Sequence, residues 1–174
     1  MRTVVTLMAL SIVAFACAPK TVEEPTAPEE TVAIPLEYTY KGTAAVGKMK
    51  NVQVVAECSK RVSELNPDVG EFLADSVHWI MSDGMEINAS RDSALVVLKG
   101  FLGSLTSMKV VYITQVAVDN VDAKHEWVFS WSDETYTFKD GTVEHAALHE
   151  DFRLENGKIR EILQYARPTV AMKP

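Results

Sequence analysis

The chain has 174 residues, with 17 basic against 24 acidic side chains and a formal net charge of −7. That length can bury one full hydrophobic core, and the negative sign excludes nucleic acid and an anionic membrane surface as electrostatic partners. With only two cysteines there is no disulfide framework to read.

The first element is an export signal. Arg2 gives a positive start, Val4 to Phe15 is apolar apart from Thr6 and Ser11, and Ala14-Phe15-Ala16-Cys17 is a small-residue cleavage site ending in a thiol. The run falls short of the roughly 20 apolar residues that span a bilayer, so a processed leader over 1–16 is expected. Ala16-Cys17 resembles the end of a bacterial lipoprotein signal, although Ala14 stands where Leu is usual and Phe15 is bulkier than the customary residue. The resemblance implies acylation of Cys17, and two or more acyl chains anchor stably. Ala18 after the cysteine, in place of Asp, points to the outer membrane of the cell envelope. The alternative is an ordinary secretory signal cut near Ala16 or Ala18. Residues 17–36 follow as a tether. Pro19, Pro25, Pro28 and Pro35 alternate with Glu23, Glu24, Glu29 and Glu30, a composition that cannot form a core and extends by about 3.1 Å per residue, up to roughly 50 Å in all.

Residues 37–174 make the single globular domain. Val52, Val55, Ala56, Ser59 and Val62 recur at helical spacing, which predicts a first helix, with Cys58 as a small buried hydrophobe. Asn66-Pro67-Asp68 predicts a stop and a second, short helix to about Ala74. Ser90, with Asp92 in the first turn, predicts a third helix whose buried side carries Ala94, Leu95, Leu98, Phe101, Leu102 and Leu105. From Val110 the period changes to two. Strands are expected at Val110–Val118, at Lys124–Trp131 with Trp127, Phe129 and Trp131 on one side, at Thr142–Leu154 and at Ile159–Arg167. Asp140-Gly141 and Asn156-Gly157 read as two-residue hairpin turns needing positive φ. Helices first and an antiparallel meander afterwards predict an α+β fold with the helices on one face of a curved sheet.

This order, together with Phe72-Leu73-Ala74-Asp75-Ser76-Val77 leading a strand toward Asp83-Gly84 and with His149-Glu150-Asp151-Phe152-Arg153-Leu154-Glu155-Asn156-Gly157-Lys158-Ile159, resembles the NTF2-like superfamily, in particular its SnoaL-like branch, over roughly 48–168. The resemblance implies a cone: a bent sheet wrapped round helices and enclosing a pocket open at one end. It also implies a choice of roles, since members include isomerases, cyclases, dehydratases and epoxide hydrolases as well as proteins that only bind or assemble.

Strand parity then selects candidate pocket residues. In Thr142–Leu154 the even set, Ala146, Leu148, Glu150, Phe152 and Leu154, is the apolar one and is expected to face inward. Glu150 is the exception on that face, a carboxyl whose pKa desolvation would raise unless it ion-pairs with Arg153 or Arg160. By resemblance it falls at the position where the steroid-isomerase branch carries a protonated acid that donates to an oxyanion, so it is the one weak catalytic candidate. The same resemblance places that branch's general-base aspartate at Met81, which cannot take a proton. Val77, Trp79 and Met81 are expected to form an apolar wall facing Phe152, with Trp79 or Trp127 packing against a ligand. The expected ligand is a small hydrophobic molecule bound by Trp79, Met81, Trp127, Glu150 and Phe152.

His145, His149 and Asp151 share the outward face, but strand residues four apart lie about 13 Å apart, too far for one metal ion, so no metal site is expected. A cofactor is not expected either, because phosphate-cradling and dinucleotide glycine motifs are missing, as is a Ser-His-Asp or Cys-His nucleophile arrangement. The outward face with His149, Arg153 and Tyr165 is by default a solvated one, and resemblance to family members that pair there offers it as the alternative surface of a homodimer. Three roles follow: a lipid-anchored binding domain, an acid/base enzyme of the SnoaL-like kind, or a dimerising envelope module whose pocket is filled by its own side chains.

Overall fold

The computed structural model describes residues 43–169. The leader, Cys17 and the tether lie outside the described residues. In chain order the elements are β1 (Ala44–Val46), α1 (Met49–Ser63), a 3-10 turn (Gly70–Phe72), β2 (Leu73–Ile80), β3 (Glu86–Ser90), α2 (Arg91–Ser104), β4 (Leu105–Asn120), β5 (His125–Phe138), β6 (Val143–Glu155) and β7 (Lys158–Pro168). One seven-stranded sheet runs β1-β4-β5-β6-β7-β2-β3, antiparallel throughout except where β2 lies parallel to β7. The fold is the expected α+β cone, two helices packed on a curved, unclosed sheet.

The curvature has local causes. Register shifts break the β4/β5 ladder near Leu105–Ser107 and Tyr112–Thr114, the β6/β7 ladder at Arg153/Leu154 and the β2/β7 ladder between Leu73 and His78. Each irregularity raises local twist and bends the strand that carries it. On the concave side Val55 and Cys58 of α1, and Ala94, Leu98 and Leu102 of α2, meet Val77, Val128, Phe152, Leu154 and Ile159 of the sheet. Val55, Val128 and Ile159 are fully buried, a contribution of about 1.5–3 kcal/mol each.

The helix ends follow from their residues. Ser90 caps α2 by accepting from the Ser93 N–H at 3.3 Å, as its position predicts. Leu65 ends α1 at φ +57°, with its N–H donating to Val62 and the Asn66 N–H donating to Arg61. This is a Schellman end built on leucine where glycine is usual. The short helix expected over Asn66–Ala74 is not formed. The Asn66 side chain accepts from Asp68 N–H at 2.9 Å, making an Asx turn, and only the single 3-10 turn follows before β2 begins at Leu73.

Two further turns differ in kind. Asn156 and Gly157 both adopt positive φ and form a two-residue turn, whereas between β5 and β6 only Gly141 does. There the Gly141 N–H donates to Phe138 and Asp140 accepts from Thr142 N–H, so the loop is longer than the two residues expected. Strands β1 and β3 are too short and too exposed to carry a legible period.

Candidate ligand-binding chamber

Between the helices and the concave face lies a chamber of about 110 Å³. From β5 its lining takes Glu134 and Tyr136. Val128, Ser130, Ser132 and Glu134 are all buried, and the two serines are small. Phe152 pairs with Val128, and Glu150 with Ser130, so the parity of β6 dictates that of β5. Trp127, Phe129 and Trp131 are thereby driven to the opposite face. Trp127, expected against the ligand, lies there in register with Arg153 and stacked on Phe129 at 6.3 Å.

Glu150 lines the chamber, and its register partners make a polar row across four strands: Gln115, Ser130, Glu150, Gln164. Trp79 on β2 sets the direction of hydrogen bonding at one end. Its indole N–H donates to Gln164 Oε1 at 3.0 Å, and Gln164 Nε2 donates to Glu150 Oε1 at 2.8 Å. An indole only donates, so the Gln164 amide is held with its NH₂ toward Glu150. Burial pushes the Glu150 carboxyl up to about 7; donation from Gln164 opposes the rise and the charge of nearby Glu134 adds to it. The alternative of a structural ion pair does not occur. Arg153 binds Glu161 at 2.8 Å and Arg160 approaches Glu155 at 4.0 Å.

The alternation legible in the sequence ends β5 at Trp131 and so stops short of the second carboxyl. The strand continues to Phe138, and Glu134 holds the inward parity. Its Oε1 accepts from Ser132 at 2.9 Å and its Oε2 from the Tyr136 hydroxyl. Tyr136 is held protonated, its pKa raised by burial and by the charge of Glu134. Burial, with Glu134 and Glu150 nearby, also lifts Tyr112 to about 12, and burial lifts the Cys58 thiol to about 12. Gln164 was missed too, although its spacing from Ile162 on β7 carries the signal.

The chamber opens toward a vestibule of about 1150 Å³. Trp79, Phe101, Tyr136, Leu148 and Gln164 line both spaces and form the neck. Phe152 lines the chamber, as its parity requires. Met81 does not: it borders the vestibule beside Asp83 and Met85, because the chain turns at Gly84 (φ +87°) just beyond it. The pocket is therefore not filled by its own side chains.

The outward histidines are engaged separately. His145 Nδ1 lies 2.9 Å from Thr135 Oγ1, and His149 Nε2 lies 2.9 Å from Asp151 Oδ1 while its ring stacks on Trp131 at 4.6 Å. Among the described residues no group of three His, Cys, Asp or Glu converges as metal ligands do.

No protein-family model matches the chain, and no curated protein does. Solved structures do match. An LEH-like epoxide hydrolase from M. tuberculosis aligns at 12% identity and TM-score 0.58 over 68% of this chain and 84% of its own. An NTF2-like protein of unknown function from Burkholderia pseudomallei aligns at 14% and 0.55, over 68% and 91%. A candidate SnoaL-like polyketide cyclase from Jannaschia sp. CCS1 aligns at 12% and 0.53, over 72% and 90%. At such identities the likeness establishes the fold, which is NTF2-like, and leaves the chemistry to the chamber itself.

Proposed function

We propose that this chain is an envelope lipoprotein, anchored through Cys17, whose NTF2-like domain binds a small, mostly apolar molecule with Glu150 orienting its polar end. The observation that carries the binding reading is an open, apolar-walled chamber in which one carboxyl is held by a directed relay, Trp79 to Gln164 to Glu150. Apolar pockets with a few convergent polar groups are the usual form of small-molecule sites. The chain has three tryptophans, and of these Trp79 alone lines the chamber. In a Trp127→Phe/Trp131→Phe variant its emission therefore reports occupancy. Titration with a panel of small apolar molecules, acetophenone among them, should give a saturable change for at least one member. An emission spectrum indifferent to the whole panel would defeat the binding reading.

A second reading, acid/base catalysis of the SnoaL-like kind, is favoured by one observation. Glu150 titrates near neutrality, where a general acid or base is most effective, and it shares its chamber with Glu134. Met81 at the site implied for the general base argues against isomerase chemistry of the steroid type. Under this reading Glu150→Gln abolishes turnover of a bound substrate while its binding persists. The outward aromatic face, with Trp131, His149 and Tyr165 in contact, is the surface we propose for a homodimer.

A further inference from the structure

The residues lining the chamber include two carboxyl groups, Glu134 and Glu150, and not one Lys, Arg or His. The other titratable side chains around it are Cys58, Tyr112 and Tyr136, none of which becomes a cation. Buried carboxyl groups are ordinarily paired with a positive partner, and without one the protein holds them by hydrogen bonds or by protonation. Here Glu134 takes two hydroxyl donors and Glu150 one amide donor. Of the two Glu150 oxygens, Oε1 is the one that accepts from Gln164.

The remaining wall is rich in aromatic rings: Trp79, Phe101, Tyr112, Tyr136 and Phe152. Phe101 and Tyr136 meet edge to face, with centroids 5.8 Å apart and planes at 72°, so two ring planes form a corner at the neck. The indole N–H of Trp79 is committed to Gln164, which leaves its π surface as what it offers an occupant. Aromatic rings around a site of negative charge are the arrangement that attracts quaternary and alkylated ammonium groups.

We propose that the chamber recognises the cationic head of a small organic amine or quaternary ammonium compound, with Glu150 as counter-ion, Glu134 as its second negative neighbour and the aromatic wall as the cage. This rests on the binding reading above and names the ligand class for that site. Size agrees: a dry cavity of about 150 Å³ holds benzene, so about 110 Å³ accepts a head of roughly four or five heavy atoms. The rest of the ligand then lies in the vestibule. An anionic head is disfavoured by both carboxyl groups.

Calorimetry with choline, its neutral carbon isostere 3,3-dimethylbutan-1-ol and the anion 3,3-dimethylbutanoate tests this on the whole chain in detergent. At pH 8 choline should bind at least tenfold more tightly than the alcohol, and the anion should not bind. As the pH falls through 7 to 6, choline binding should weaken, because a protonated Glu150 loses its charge; repeating the titration in buffers of different ionisation enthalpy should show proton release at the lower pH. The alcohol should show neither effect. Glu150→Gln, close to isosteric, should remove the tenfold preference for choline over the alcohol. If that variant does not fold, the wild-type comparison of choline with the alcohol still decides. Equal or tighter binding of the alcohol overturns the cation proposal and leaves the binding reading standing; binding of none of the three, together with an unresponsive Trp79, overturns both.

Discussion

Glu150, between Ser130 and Gln164 in one cross-strand row, couples the chamber to folding stability. Below an ordinary carboxyl pKa of 4.5 it is protonated in both folded and unfolded chains and costs nothing. As pH rises the unfolded chain ionises first, and the folded carboxyl follows only near 7. Stability should therefore fall across pH 4.5 to 7, by about 3 kcal/mol from this group, and then level. Glu150→Gln should flatten that window in denaturant melts; a slope unchanged by the substitution would mean that the carboxyl is solvated. His78 adds a separate slope at higher pH. Its ring contacts Glu86 at 2.8 Å and Glu161 at 2.9 Å, and chiefly the Glu86 contact raises its pKa. That stabilisation is complete below the ordinary histidine pKa and is lost as pH climbs through the raised value. A second residue-scale test concerns Trp79. Trp79→Phe deletes the only donor to the Gln164 amide oxygen among the described residues, so that the amide can turn its oxygen toward Glu150. NMR titration of the carboxyl should give a higher pKa than in wild type, and stability should drop by about 1 kcal/mol. A lower value would show that Gln164 is held by something else.

At the scale of elements, β6 decides the chamber because its parity is imposed on both neighbours. Phe152 is buried, and its register partner Val128 is fully so, whereas Asp151 faces outward beside His149. Phe152→Ala should cost about 3–5 kcal/mol. Asp151→Ala should cost well under that, since burial already raises its pKa and the His149 contact only partly offsets this. Denaturant melts of the two variants compare them directly, and the reverse order would contradict the inward face assigned here. The same logic explains why β5 misleads. Its most hydrophobic parity lies outside, Trp127 stacked on Phe129, and Phe129 and Trp131 each against His149, while Val128, Ser130, Ser132 and Glu134 are buried on the other side.

For the whole molecule, the proposed arrangement is a lipid at Cys17, a proline-rich spacer and a cone. The net charge of −7 gives the chain no electrostatic attraction for an anionic bilayer, so the acyl chains alone would hold it. Cys17→Ala should therefore shift the protein from the membrane to the soluble fraction after cell fractionation, with the domain folded. Continued sedimentation with membranes would contradict lipid anchoring.

What the sequence determined by itself was local and periodic. The helical stripe of α1, the Ser90 cap, the Asn156-Gly157 turn and the inward set of β6 each depend on residues a few positions apart, where sterics and hydrogen-bonding capacity act without distant partners. That was enough to predict an α+β fold with helices on one face of a curved sheet and to single out Glu150 as a carboxyl on an apolar face, while the cone was implied by the resemblance to the NTF2-like superfamily. Tertiary structure alone decided the rest. The strand β3 acquires its conformation by pairing with β2, the end of β5 by pairing with β6, and β1 by pairing with β4. Glu134 and Tyr136 reach the chamber through the β5–β6 pairing and Gln164 through the pairing of β7 with β6, and Trp127 leaves it through the β5–β6 register. Register is a relation between strands, and a strand's own composition does not say which of its faces the neighbour will turn inward.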